Sequence, residues 1–463
     1  MSADGLRASV EKMRGDGVAE AAIRAFSHYY RQLEAGETGL LPEDAIEPVG
    51  ELPTLAELPH DEAAEREALQ RTIVLRLNGG LGTSMGLSRA KSLLPAKQGL
   101  SFLDIIARQV LALRARHDAR LPLVLMDSFS TREDTLAALA AHAGLAADVP
   151  ADFLQSKEPK LRVDDLTPVA WPQDPSLEWC PPGHGDLYTA LVTSGMLEQL
   201  LERGYEHAFV ANSDNLGAVL EPRILAWLRA ERIPFLMEVA QRTEADRKGG
   251  HLARLRDGGR LTLRETAQTP PQDLTALQDI ARHRFVNTNN LWLDLRALDA
   301  AMRERDDVLG LPLIRNRKTV DPTDKRSPAV YQIETAMGAA IQVFEGAQAL
   351  QVPRTRFAPV KTTDDLLTLR SDAYLLGADA TVALAPERAG RAPFVALDSD
   401  YFKLLRDFDA RFPDGPPSLI DCERLVVEGD VRFGAGVRVH GDVTLRSPNG
   451  GQLAIDAGSE LRG

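Results

Sequence analysis

Apolar and polar positions fall into three textures along the chain. Over residues 1–70, Ala22, Ile23, Phe26, Tyr29 and Tyr30 recur near helical spacing among many charges, which predicts a helical N-terminal segment. Within it, Pro42, Pro48, Pro53 and Pro59 interrupt any helix and predict an irregular strap over 41–59. From Thr72 the apolar residues cluster into short runs at 73–77, 121–126, 207–210, 233–239 and 285–293, separated by helical stretches such as 101–116. Strand-like runs alternating with helices predict an α/β layer, a mixed but mostly parallel sheet flanked by helices over 71–385.

The third texture is a repeat. Leu425, Val431, Val437 and Val443 stand six apart, as do Val427, Phe433, Val439 and Leu445, with Gly429, Gly434, Gly436 and Gly441 between them. After a turn-like stretch at 447–451, Ile455 and Leu461 are expected to resume the first series. A six-residue apolar period with glycines at its corners predicts a small left-handed parallel β-helix in 386–463. Such a short coil must cover its ends, so stacking on a second copy, a homo-oligomer, is expected.

Composition removes several classes. The chain has 463 residues, 44% hydrophobic and 26% charged, as a globular protein does. No window approaches the about 18 uncharged apolar residues needed to cross a bilayer, and the N-terminus lacks the apolar core of a secretory signal. Cys180 and Cys422 alone make neither a disulfide framework nor a metal site, so a reducing cytoplasm is the expected location, with no membrane partner. Net charge is −13 and no basic run is present, which argues against nucleic acid as a partner. An acidic chain still holds a small anion where backbone N–H groups, a few lysines and a metal ion converge.

One loop has that character. Leu77-Asn78-Gly79-Gly80-Leu81-Gly82-Thr83-Ser84-Met85-Gly86 follows a strand directly, where an open α/β sheet binds ligands. No Gly-Lys-Ser/Thr closes it, so it is no Walker loop, and Met85 stands where a dinucleotide fingerprint needs its third glycine. Lys91 follows, placed to bring an ammonium group back over the loop.

This loop with its lysine resembles the activating loop of sugar-phosphate nucleotidyltransferases, and the wording LNGGLGTSMG resembles the eukaryotic-type UTP–glucose-1-phosphate uridylyltransferases. Ala90 departs from the proline that family commonly has before the lysine. Five further blocks follow in family order: Trp179 to Asp186, Asn212 to Gly217, Lys248-Gly249-Gly250, Asn287 to Trp292, and Val360 to Leu366. The resemblance implies a nucleotidyltransferase (GT-A-like) fold and Mg²⁺-dependent transfer of the uridylyl group of UTP to glucose 1-phosphate. The same reaction on another sugar 1-phosphate, such as an N-acetylhexosamine 1-phosphate, is the alternative.

The chemistry is in-line attack of a phosphate oxygen on the α-phosphorus, so it needs cations and a metal rather than a general base. By resemblance, Leu77, Asn78, Gly79 and Gly80 hold the nucleotide with Lys91, Gln155, Gly183, Asp214 and Lys361. Gln155 reads uracil, whose donor and acceptor an amide satisfies together. His184, Asn212, Ser213, Asp214, Gly250, Glu265, Asn290 and Glu334 take the sugar phosphate. Asp214, just past an apolar run, is the metal ligand, since Mg²⁺ needs only one or two carboxylates. Lys361 and Lys91 are the catalytic pair, with Lys91 on the departing pyrophosphate.

Overall fold

The structure is a computed structural model that describes residues 2–87, 89–448 and 450–463. Ten strands form its main sheet: β1 (Ile46–Pro48), β2 (Thr72–Leu77), β3 (Leu123–Asp127), β4 (Asp152–Leu154), β5 (His207–Asn212), β6 (Phe235–Gln241), β7 (His251–Leu255), β8 (Leu261–Arg264), β9 (Phe285–Asp294) and β10 (Gln348–Gln351). The spatial order is β1-β7-β9-β5-β2-β3-β4, with β6 joining β9 to β10 and β8 pairing with β7.

Side chains alternate between two cores. In β2, Ile73 and Leu75 enter one hydrophobic cluster and Val74 the other; in β5, Ala208 and Val210 face the first, Phe209 and Ala211 the second. Strands covered on both faces have no polar alternation, which is why they read as unbroken apolar runs. The helix predicted at 101–116 runs Phe102–His117 (α3), and its start is set by Ser101 and Asp104, which cap each other's backbone N–H groups.

The sheet is mixed, and less parallel than expected. β5, β2, β3 and β4 are parallel to one another, as β6 is to β10, but β9 runs antiparallel to β5 and β6, and β7 antiparallel to β1 and β8. The reversal between β7 and β8 passes through Gly258 and Gly259, whose φ values of +73° and +64° suit a tight hairpin.

The N-terminal segment contains α1 (Ser2–Gly15) and α2 (Glu20–Glu34), which bury Met13, Ile23, Phe26 and Tyr30 against Leu161, Leu313 and Ile333. The proline-rich strap is not wholly irregular, because its residues 46–48 form the β1 edge of the main sheet.

Near the C-terminus, β11 (Phe394–Leu397), β12 (Ser418–Glu428), β14 (Arg438–Arg446) and β16 (Glu460–Arg462) make one parallel sheet, and β13 (Val431–Phe433) pairs in parallel with β15 (Leu453–Ile455). Leu425 opposes Val443 and Val427 opposes Leu445, three hexads apart. Ile455 opposes Phe433 and Leu461 opposes Val439, so both resume the second apolar series and Leu453, opposite Val431, resumes the first. Four extra residues in the 447–451 turn, of which Asn449 lies outside the described residues, shift the phase. One hydrophobic core runs from α3 into these strands through Phe402, Phe408, Leu419 and Phe433.

Candidate active site

Register brings the first two segments together. β2 and β5 are parallel neighbours with Leu77 opposite Asn212, so the glycine loop and the Ser213-Asp214 turn leave the same end of the sheet side by side. The Ser213 N–H donates to Leu77 O at 3.2 Å.

Two lysines distant in sequence converge there. Lys91 Nζ donates to Asp214 Oδ2 at 2.9 Å and Lys361 Nζ donates to the same oxygen at 3.2 Å. Lys91 also donates to Val360 O, and the Val360 N–H to Asp214 O at 3.0 Å, so the segment leading to Lys361 lies against the turn. Burial pushes the Asp214 carboxyl up, but the ammonium groups of Lys361 and Lys91 outweigh it and hold it below the usual carboxylate range. Its other oxygen, Oδ1, is buried and has no hydrogen-bond partner among the described residues.

Beside this cluster is a cavity of about 300 Å³ bounded by Leu77, Asn78, Gly79, Gly80, Lys91, Gln155, Gly183, His184, Asn212, Ser213 and Asp214. Gly79 makes the approach to Gln155 possible, since a Cβ there would lie 2.6 Å from Gln155 Oε1. Asp186 accepts the N–H of Ser156 at 2.5 Å, which ties the Gln155 segment to the 183–186 turn. At Gly183, φ is +79° and a Cβ would meet Thr335 O at 2.6 Å, so this turn accepts only glycine without strain. Ser213 lines the cavity, and its hydroxyl is buried with no hydrogen-bond partner among the described residues.

His184 is held neutral in one tautomer. Its Nδ1 accepts the Met337 N–H at 3.0 Å, which leaves the proton on Nε2 as a donor. Burial drives its pKa down to about 4. Because the free value of 6.5 lies above the folded one, the unfolded chain binds this proton more readily, so the group withdraws stability as pH falls from about 6.5 to about 4. The ¹⁵N–¹H spectrum of histidine-labelled protein should show His184 as the Nε2–H tautomer from pH 8 down to 5; protonation near pH 6.5 would contradict this geometry.

Two predicted contacts have other employment. The Asn78 amide donates to Asp127 Oδ1 at 2.7 Å and Thr135 Oγ1 at 2.9 Å, so its side chain anchors the loop from behind and only its backbone faces the cavity side. Asn290 is fully buried and donates to Glu238 Oε2 at 3.0 Å, while its oxygen accepts from Asn215. Both amides are turned inward because buried acceptors claim them. Gly250 and Glu265 form a second group just before β7 and just after β8, where a Cβ on Gly250 would meet Glu265 Oε2 at 2.4 Å; burial raises the Glu265 pKa to about 6. Glu334 lies against Gly183 and pairs with Lys318 at 3.3 Å.

A sequence model of the family described as UTP–glucose-1-phosphate uridylyltransferase matches residues 23–440. The chain belongs to this family. It is 40% identical over 409 residues to the UTP–glucose-1-phosphate uridylyltransferase of Solanum tuberosum, covering 88% of this chain and 83% of the relative. To that of Hordeum vulgare it is 38% identical over 466 residues, covering 99% and 95%. Among solved structures, a variant of UDP-glucose pyrophosphorylase from Leishmania major in complex with UDP-glucose superposes with a TM-score of 0.94 at 46% identity, covering 99% of this chain and 98% of that one. The Trypanosoma brucei protein gives 0.92 at 44% identity, with the same coverage.

Within this uridylyltransferase scaffold, sequence reasoning missed Asn289. It has a φ of +58°, exchanges side-chain and backbone hydrogen bonds with Asn287, and is less buried than Asn290. Asparagine tolerates the left-handed region better than most residues, but Asn287 and Asn290 share that property, so the sequence alone does not separate it from them. Glu238 was also missed, because one acidic residue inside an apolar run carries no pattern.

Proposed function

We propose that this chain transfers the uridylyl group of UTP to α-D-glucose 1-phosphate, releasing pyrophosphate, in a reversible reaction. Family membership supports the reaction, and the convergence of Lys91 and Lys361 on one Asp214 oxygen beside a cavity edged by glycine backbone carries the site assignment.

A phosphate oxygen of glucose 1-phosphate forms a bond to the α-phosphorus as the bond from that phosphorus to the bridging oxygen breaks, and pyrophosphate leaves with the electron pair. The nucleophile is already anionic near neutral pH, so the protein positions groups and screens charge. In our reading the backbone of Leu77 to Gly80 and Lys91 face the triphosphate, Gln155 and Gly183 flank uracil, and the Nε2–H of His184 donates to the sugar phosphate. Asn212, Ser213, Gly250, Glu265 and Glu334 take the sugar side, with Asn289 replacing Asn290. Lys361 leaves Asp214 for the phosphates as charge moves between them.

Among the described residues no three ligating side chains gather as a closed metal site. One ionised carboxylate with an unpartnered buried oxygen suits Mg²⁺, which keeps waters and substrate phosphates as its other ligands. Asp214 would hold it, and a bound ion would neutralise phosphate charge. The deciding assay is pyrophosphate release with UTP against a panel of sugar 1-phosphates, with and without Mg²⁺. No sugar nucleotide from any pair would end this reading, and a preference for an N-acetylhexosamine 1-phosphate would change its substrate.

We further read 1–70, 71–385 and 386–463 as helical, catalytic and β-helical units. Parallel pairing at 18- and 22-residue offsets supports a β-helix. Among the described residues no helix is long and apolar enough to cross a membrane, and both cysteines are free, in keeping with a cytoplasmic setting. The β16 edge at the end of the coil is where a second copy would stack. Removing residues 447–463 should lower the sedimentation coefficient and leave turnover within about threefold; parent and truncated chain both sedimenting as monomers would dismiss the oligomer. A cut near 420 is a poorer probe, since Phe402, Phe408 and Phe412 lean on Leu425 and Phe433.

A further inference from the structure

Behind Asp214 and Lys361 lies a buried polar network that the transfer chemistry leaves unused. Glu238, fully buried in β6, accepts from Arg356 Nε at 2.8 Å and Nη2 at 2.6 Å, from Asn290 Nδ2 at 3.0 Å and from Trp292 Nε1 at 2.9 Å. Four donors satisfy the carboxylate, so the arginine is held in a fixed place. Arg356 Nη1 donates to Val219 O at 2.8 Å, tying it also to the chain beyond the Asp214 turn.

From Phe357 to Lys361 the chain forms no helix or strand, only a single antiparallel bridge between Pro359 and Asn215, and side-chain bonds remove much of the freedom that remains. Asn215 does this from the residue next to Asp214. Its Nδ2 donates to Arg356 O at 3.1 Å and to Asn290 Oδ1 at 3.3 Å, and its Oδ1 accepts the Ala358 N–H at 3.0 Å. The amide thus grips the segment at two points before Lys361, and the bond from Val360 N–H to Asp214 O is a third.

We propose that Asn215 is a positioning residue for the transfer, a buried amide clamp that sets Lys361 against Asp214 and is anchored through Arg356 to Glu238. The inference rests on the uridylyltransferase reading and names what holds its decisive lysine. A reacting group displaced by about 1 Å can cost on the order of 10²-fold in rate, so a loosened lysine acts on turnover more than on affinity.

The test is a kinetic cycle. Asn215→Ala should lower kcat about tenfold to a hundredfold with KM for UTP and glucose 1-phosphate within about threefold. In a Lys361→Ala background it should cost less than about threefold more, since there is no ammonium group left to position. Amides of 356–360 should exchange faster in Asn215→Ala, a readout that needs no turnover. If Asn215→Ala fails to fold, Asn215→Ser, with one hydrogen-bonding group retained, takes its place. Parental kcat in a folded variant, an equal loss in the Lys361→Ala background, or unchanged exchange over 356–360 would each overturn the clamp. An inactive parent protein with faster exchange in the variant would retain the clamp and refute the uridylyltransferase reading instead.

Discussion

Lys361→Ala is expected to lower kcat by at least about 10²-fold while the thermal unfolding transition stays within a few degrees of the parent. Both halves follow from where the side chain lies. It is 56% exposed, and among the described residues its ammonium bonds Asp214 alone. Its backbone N–H, which the substitution keeps, is held at 2.7 Å by Asp365 at the start of helix α4 (Thr363–Arg370). The fold therefore has little to lose. Turnover has much to lose, because a cation placed where charge shifts in the transition state is commonly worth a few kcal/mol. Lys361→Arg should recover part of the loss, since charge returns with different geometry. Steady-state kinetics beside a melting curve decides the matter, and turnover within tenfold of the parent in a folded alanine variant would remove Lys361 from this role.

The exposure of Lys361 explains how the site can be assembled before substrate and still give its cation away. An ion pair that open to water is worth about 0–1 kcal/mol, so phosphate oxygens draw Lys361 off Asp214 at small cost. Lys91 differs: it is 18% exposed and also bonds Val360 O, which makes it part of the frame as well as of the charge. One lysine is fixed and the other is free to follow the phosphates. On the proposed assignment, that division would let a chain of net charge −13 receive two polyanions.

The parts of this arrangement visible in sequence are those where physical pattern and chemical identity coincide. Strands 72–77 and 207–212 read correctly because burial on both faces demands unbroken apolar runs. The direction of β9 did not, since such a strand has the same composition whichever way its neighbours run. In the C-terminal repeat the period was right and the phase after residue 447 wrong, because four inserted residues leave side-chain chemistry unchanged while moving every later pair. Lys91, Asp214 and Lys361 were named from the resemblance of their surrounding segments, and the structure brings their side chains into hydrogen-bond contact. Asn78 and Asn290 were named the same way, and there sequence could not tell what the amide binds: an amide serves a ligand or its own protein equally well, and in the structure these two donate to Asp127 and Glu238.

Asp214→Asn should be the most damaging conservative change, with kcat/KM falling on the order of 10³-fold. The amide has the same shape but removes the charge that both ammonium groups answer, leaving Lys91 and Lys361 to repel one another around one neutral oxygen or amide. It also offers an N–H where Asp214 presents a carboxylate oxygen, either at the buried Oδ1 or toward the lysines themselves. Since the two lysines hold the Asp214 carboxyl below its usual range, the parent is ionised throughout the neutral region and nothing is gained by raising pH. The Mg²⁺ activation curve distinguishes the causes. A weakened ion site moves the curve to higher Mg²⁺ and restores part of the rate there, whereas misplaced lysines alone depress the plateau and leave the midpoint where it was. We expect both, because one side chain performs both tasks. An Asp214→Asn protein with parental turnover and an unchanged Mg²⁺ requirement would show that neither task belongs to this carboxylate.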